Sequence, residues 1–289
     1  MDESGFKIAV IGLGIIGGSM AYALKGFKNA TIAGCDIDAE TRRKALEAGA
    51  VDEVYETPDR AISDADLVVL CVYPGLIEKI IRENKVFFKK GAVITDVCGV
   101  KTGLYERLEK NLPHCTEYVG GHPMAGRETD GFDSATPELF GMCGYLITPI
   151  CNASEHSIKL VESVARYVGA TRISYCTPEE HDSIIAYTSD LMHVSAAALC
   201  LDYNEKMNRA YTAGAFRDCT RIANINPELW SGLFIENKDF LLDEIDRFTE
   251  SIEKLRTAIE NEDKTKLRAL LDTVKKNKLE MQNKEPENY

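Results

Sequence analysis

Only five histidines occur in this chain, and one of them, His122, stands in "YVGGHPMAGRE", after two glycines and before a proline. Imidazole titrates near neutral pH, so it can polarise a hydroxyl and take its proton, the task that hydride abstraction from an alcohol carbon requires. Gly120 and Gly121 would leave room for a ligand to approach the backbone, and Pro123 would stiffen the exit. The competing reading is a hydrogen-bonded core histidine beside a tight turn. A second set, "AVIGLGIIGGS", holds Gly12, Gly14 and Gly17 in GxGxxG spacing, with Ile15 and Ile16 between them. Gly12 permits a tight turn, Gly14 lets backbone approach a pyrophosphate, and Gly17 lets a helix pack close to a strand. Asp36, 19 residues beyond Gly17, is placed to accept hydrogen bonds from an adenosine ribose. A carboxylate there would repel a 2′-phosphate, so the expected cofactor is NAD, with Arg42 and Arg43 close enough to soften the exclusion.

These groups need elements to carry them. Short β-branched runs alternate with helical stretches through the first 175 residues: "KIAVIG", "TIAGCD", "DLVVLCV", "AVITDV", "EYVGG", "YLITP" and "TRISYC". Alternation of this kind predicts parallel strands with crossover helices. Ligands of such a sheet bind beyond the carboxyl ends of its strands, where His122 falls. "TPEEHD" then supplies Thr177 as an N-cap, Pro178 at the first helical position and Glu180 as the capping-box partner. No further strand is predicted. The expected architecture is an N-terminal Rossmann-type doubly wound α/β sheet (residues 1–175) followed by an all-α C-terminal domain (residues 176–289).

In the helical half, "YTSDLMH" sets Ser189 and His193 four apart on one helix face. "FRDCTRIA" sets Arg217 and Arg221 four apart, and a guanidinium fork is a natural bidentate partner for a carboxylate. Salt bridges to Asp218 or Glu128 are the competing use. Trp230 follows "NINPEL", where Asn226 caps and Pro227 opens a helix. Leu241, Ile245, Phe248, Ile252, Leu255 and Ile259 alternate spacings of four and three, a seam for another helix or for a second copy of the chain.

Composition narrows the classes. A formal charge of -12 argues against a general nucleic-acid binder. Nine cysteines without a CxxC pair read as reduced, buried thiols. "MDESGFK" lacks the features of a signal peptide, and no apolar run approaches the ~18 residues of a membrane span. The expectation is a soluble cytoplasmic protein with no membrane or nucleic-acid partner.

Together, "GLGIIGGS", "DVCGVK", "GGHPMAGRE" and "FRDCTRIA" resemble the prephenate dehydrogenase (TyrA) family, from about Lys7 to beyond Trp230. The resemblance implies oxidative decarboxylation of prephenate to 4-hydroxyphenylpyruvate with NAD, in a homodimer. His122 would bond the ring hydroxyl, His193 would contact substrate or nicotinamide, Arg221 would hold a substrate carboxylate, and Trp230 would reach the neighbouring subunit's site. Two departures stand out. Gly99 occupies the position of a family serine, a hydroxyl that water or Cys98 would have to replace. "SDLMH" replaces SHLPH, and no role is assigned to Asp190. The rival readings are arogenate dehydrogenase and, more remotely, a non-catalytic NAD-sensing protein.

Overall fold

The computed structural model describes residues 5–127, 129–150, 152–202 and 206–283. Eight strands, β1 (Lys7–Ile11), β2 (Thr31–Cys35), β3 (Glu53–Tyr55), β4 (Leu67–Leu70), β5 (Val93–Asp96), β6 (Glu117–Pro123), β7 (Gly144–Pro149) and β8 (Arg172–Tyr175), form one sheet in the order 3-2-1-4-5-6-7-8. The order reverses at β1, between β2 and β4, and the crevice beyond their carboxyl ends is the natural ligand position of a doubly wound sheet.

Two features depart from the sequence expectation. β3 is an extra strand of three half-buried residues, too short to show a period. β7 runs antiparallel to β6, with His122 opposite Leu146, while β8 runs parallel to β7. Between β6 and β7 the described residues hold only short 3₁₀ turns. Without a crossover helix, the chain returns antiparallel beside the strand it has just left.

Six helices cover this sheet: α1 (Ile15–Ala23), α2 (Ala39–Glu47), α3 (Pro58–Ile62), α4 (Pro74–Glu83), α5 (Thr102–Leu108) and α6 (Glu155–Tyr167). Met20, Leu24, Leu160, Val161 and Val164 pack on one face. Ile62, Ile77, Ile81, Leu104 and Leu108 pack on the other. Strands covered on both faces read as continuous apolar runs, as "LVVL" in β4 does. Burying each such aliphatic side chain contributes about 1.5–3 kcal/mol.

The remainder is helical: α7 (Pro178–Ile185), α8 (Leu191–Leu201), α9 (Gly214–Thr220), α10 (Pro227–Glu236), α11 (Lys238–Glu260) and α12 (Lys264–Asn283). α7 begins as its sequence predicts: Glu180 N–H donates to Thr177 Oγ1 at 3.2 Å, and Thr177 N–H donates to the Glu180 carboxylate at 2.9 Å. α10 is capped in the same spirit, with Leu229 N–H donating to Asn226 Oδ1 at 3.1 Å. A π-helical turn, Ala186–Asp190, joins α7 to α8. The resulting span Pro178–Leu201 has a mean hydropathy of 1.4 in its most apolar window, long and apolar enough by composition to cross a membrane, contrary to the sequence expectation. Its His181, Asp182 and Asp190 are buried against neighbouring protein segments, although only 28% of that window is buried.

Along α11, Leu241 and Ala258 are buried, whereas Phe248, Ile252 and Ile259 are exposed on the single chain. The thiols are less uniformly buried than expected. Cys35 and Cys98 are interior, but Cys115, Cys200 and Cys219 reach the surface, and all the described cysteines are free.

Candidate active site

The glycine turn between β1 and α1 is shaped by close approach. Gly12 has φ +90°, and a Cβ on it would collide with the Cys71 carbonyl; a Cβ on Gly17 would collide with the Gly12 carbonyl. Gly14 faces open space, so the volume that a side chain would occupy is available at the amino end of α1, where the helix dipole favours an anion. Ile15 and Ile16 open that helix. Asp36, just past β2, braces the turn: its carboxylate accepts Leu13 N–H at 2.8 Å and Asp38 N–H at 2.9 Å. Arg42 is held to the carbonyls of Asp36 and Ile37 at 2.7 and 3.0 Å. Arg43 pairs with Glu40 and Glu47. The turn, the open cradle and the carboxylate fit a dinucleotide, and the two arginines are engaged elsewhere.

His122 lies at the carboxyl end of β6. The glycines before it serve a different purpose from the one their sequence suggests. A Cβ on Gly120 would collide with the Tyr105 hydroxyl, and one on Gly121 would press on the Tyr145 ring and the Asp96 carbonyl. Protein side chains, rather than a ligand, occupy that space. Behind them, Lys101 is fully buried; its ammonium donates to Asp96 Oδ1 at 2.8 Å, Cys98 O at 2.6 Å and Gly121 O at 3.1 Å. All three donors of the charge are thereby used, which is what burial of a lysine demands. The network fixes the backbone immediately before His122.

The ring of His122 is held from its Nδ1 side. Nδ1 lies 2.9 Å from His181 Nε2, and His181 Nδ1 lies 2.7 Å from Asp182 Oδ1. Asp182 also accepts the N–H groups of Lys101 at 2.9 Å and Thr102 at 2.7 Å, so it caps α5 and ties α7 to the sheet domain. The other edge of His122 faces Gly99: a Cβ placed there would lie 3.8 Å from Nε2 and 3.6 Å from Leu233 of α10. Cys98 does not replace a hydroxyl in this space, because its thiol turns to the Val72 carbonyl at 3.5 Å.

One turn before Leu233, Trp230 stacks on His193 of α8 with ring centroids 3.5 Å apart. His193 Nδ1 donates to the Ser189 carbonyl at 3.0 Å, so Ser189 contributes its main chain. Arg221 opens a 3₁₀ turn, Arg221–Ala223, packed on α8. Arg221 caps α9, its N–H donating to the Arg217 carbonyl, so the two arginines lie one helical turn apart as their spacing predicts, and both side chains are exposed. Of the acidic partners considered for them, Glu128 lies outside the described residues. Asp130 accepts a 3.0 Å hydrogen bond from Asn226 Nδ2 and so links the segment after His122 to the cap of α10.

Residues 20–174 match the family description "Prephenate dehydrogenase, nucleotide-binding domain", and residues 177–273 match "Prephenate dehydrogenase, dimerization domain". The chain belongs to the prephenate dehydrogenase family. A cyclohexadienyl dehydrogenase from Zymomonas mobilis is 35% identical over 263 residues, 89% of each chain. Among solved structures, a prephenate dehydrogenase from Aquifex aeolicus, in complex with hydroxyphenyl propionate and NAD+, superposes with a TM-score of 0.86 at 30% identity, covering 97% of this chain and 100% of that one. A Synechocystis arogenate dehydrogenase gives 0.80 at 29% identity, covering 96% and 100%.

The protein is therefore an oxidoreductase of this family, and its site holds groups that the sequence alone did not single out. His181 and Asp182 sit inside "TPEEHD", where they read only as the opening of a helix. The available signal was that His181 is one of just five histidines. Burial, then His181 and the Lys101 ammonium, hold His122 well below the ordinary imidazole value. Burial likewise lowers His181, against the pull of Asp182. Both shifts run toward the neutral form of the two rings.

Proposed function

We propose that the protein carries out the NAD-dependent oxidative decarboxylation of prephenate to 4-hydroxyphenylpyruvate in tyrosine biosynthesis. The observation that carries this reading is the position of His122 Nε2, which faces the space above Gly99 beside Leu233, one helical turn from the Trp230 that stacks on His193. NAD, when bound, accepts the hydride. His122 takes the proton of the ring hydroxyl as the carbinol carbon gives up that hydride, and loss of the ring carboxylate as carbon dioxide aromatises the product. Gly12, Gly14 and Gly17 with Asp36 hold the dinucleotide, Ile15 and Ile16 begin the helix that faces its phosphates, and Arg221 pairs with a substrate carboxylate. His193 and Trp230 form an apolar wall with one polar edge, with Ser189 and Arg217 at its margin.

The second substrate, arogenate, carries an ammonium group that calls for an acidic partner. Asp182 and Asp190 are committed to internal hydrogen bonds and Glu236 pairs with Arg107 at 3.0 Å, which supports the keto acid. The cyclohexadienyl relative is the reason to assay both. In this reading the chain divides at residues 175 and 176, acts in the cytoplasm, and forms a homodimer through the exposed face of α11. NADH absorbance with each substrate, under identical conditions, tests the reading. Turnover of prephenate at least tenfold faster than of arogenate is expected; NAD binding without turnover of either would overturn it in favour of an NAD sensor.

A further inference from the structure

We propose that His181 and Asp182 are positioning residues that fix His122 in the tautomer with a bare Nε2 and move the positive charge of proton abstraction one residue away from the substrate. The inference rests on His122 being the base of the proposed reaction.

The assignment follows from donors and acceptors alone. An ionised carboxylate only accepts, and Asp182 already takes two backbone N–H groups. Although burial acts to raise it, the hydrogen bonds from His181 and Thr102 hold Asp182 below the ordinary carboxylate range. At 2.7 Å from Asp182, His181 Nδ1 must therefore carry a proton and donate it. A neutral His181 then has its lone pair on Nε2. His122 Nδ1, 2.9 Å away, must be the donor in that contact. Its own lone pair is left on Nε2, at the edge above Gly99. Gly99 offers no side chain to steady the ring from that side, so the Nδ1 contact does the orienting.

The same chain gives the charge a way out. When the substrate O–H bond breaks and a proton bonds to His122 Nε2, the ring becomes an imidazolium. Its Nδ1–H can then pass to His181 Nε2: one N–H bond breaks, one forms, and the charge moves to the ring that adjoins Asp182. The charged groups around the pair favour this direction. The Lys101 ammonium at the start of α5 opposes a positive charge on either ring, whereas Asp182 of α7 and Asp96 of β5 act on His181 and offset it there. A buried carboxylate and a second imidazole thus share the charge that an isolated histidine would have to hold beside a lysine.

The test uses the full-length protein labelled with ¹⁵N at histidine, with two-bond ¹⁵N–¹H correlation to report each ring's tautomer. His122 is expected with Nδ1 protonated and Nε2 bare at neutral pH. A His122 protonated at Nε2 in the wild-type protein would overturn the proposal, whatever the variants do. Kinetics on the faster of the two substrates supply the second arm. His181→Phe, which keeps a planar aromatic ring and removes the acceptor, should lower kcat by about 100-fold, in the range of lost acid–base assistance. It should leave KM for NAD within threefold. His181→Gln, whose amide oxygen can accept from His122 Nδ1, should recover at least tenfold of that loss. Equal loss in both variants would reduce His181 to packing and overturn the relay. If the wild-type protein turns over neither substrate, the proposed reaction fails while the tautomer measurement still decides this inference.

Discussion

Asp190 is a carboxylate in a position that a carboxylate should avoid, and removing its charge should stabilise the protein. It lies in the π-helical turn between α7 and α8 and is 2% exposed. Its Oδ2 accepts a 2.7 Å hydrogen bond from Asn237 Nδ2, which also donates to the Asp182 carbonyl at 3.0 Å. Asn237 Oδ1 is buried with no hydrogen-bond partner. Burial, with a further contribution from the Asp182 charge and against the Asn237 hydrogen bond, pushes the Asp190 carboxyl up to about 6 from 3.8. A group whose proton affinity rises on folding contributes fully below its unfolded value and loses that contribution as pH climbs through its folded value. At ~1.36 kcal/mol per tenfold change in proton affinity, keeping Asp190 ionised in the fold costs about 3 kcal/mol at pH 8. Asp190→Asn removes the charge, retains an acceptor for Asn237 Nδ2, and brings N–H groups that can satisfy Asn237 Oδ1. Urea unfolding at fixed protein concentration should show the variant more stable by about 1–3 kcal/mol at pH 8, with the difference vanishing near pH 4. A variant equal to or weaker than wild type at pH 8, or a gap that does not change with pH, would refute the reasoning.

Four further outcomes are expected. His122→Asn should lose about 10²–10⁴ in kcat while NAD still binds; in wild type the acidic limb of kcat/KM should fall below 6.5, since burial lowers both His122 and His181, and protonating either removes the base or the acceptor that orients it. Gly14→Ala should fold like wild type, because nothing lies within 4 Å of the added carbon, yet weaken NAD at least tenfold by calorimetry, because the cradle is filled. Arg221→Ala should raise KM for the substrate at least tenfold with little change in kcat, as loss of a charge-assisted carboxylate contact does. Phe248→Glu, on the exposed seam of α11, should shift sedimentation from dimer toward monomer.

Some of this was written locally in the chain. The turn at Gly12, the carboxylate at Asp36, the caps at Thr177 and Asn226 and the strand end at His122 all obey short-range rules: a positive φ, a side chain reaching an N–H three residues on, an apolar run that stops. The family resemblance rested on two of these segments, the glycine turn and the strand end at His122, together with "DVCGVK" and "FRDCTRIA". What required the tertiary structure was every partnership across distance. His122 meets His181 59 residues later, Asp190 meets Asn237 47 residues later, and Tyr105 and Tyr145 fill the space that made Gly120 and Gly121 look like a ligand channel. β3 was missed because three residues carry no period, and the reversal of β7 because strand direction depends on what the intervening chain packs against. Sequence alone determined which groups could do chemistry and roughly where the strands would present them. Only packing decided which nitrogen of His122 meets His181 and which faces Gly99, because a ring's orientation is set by partners brought from elsewhere in the chain, and no local pattern encodes that encounter.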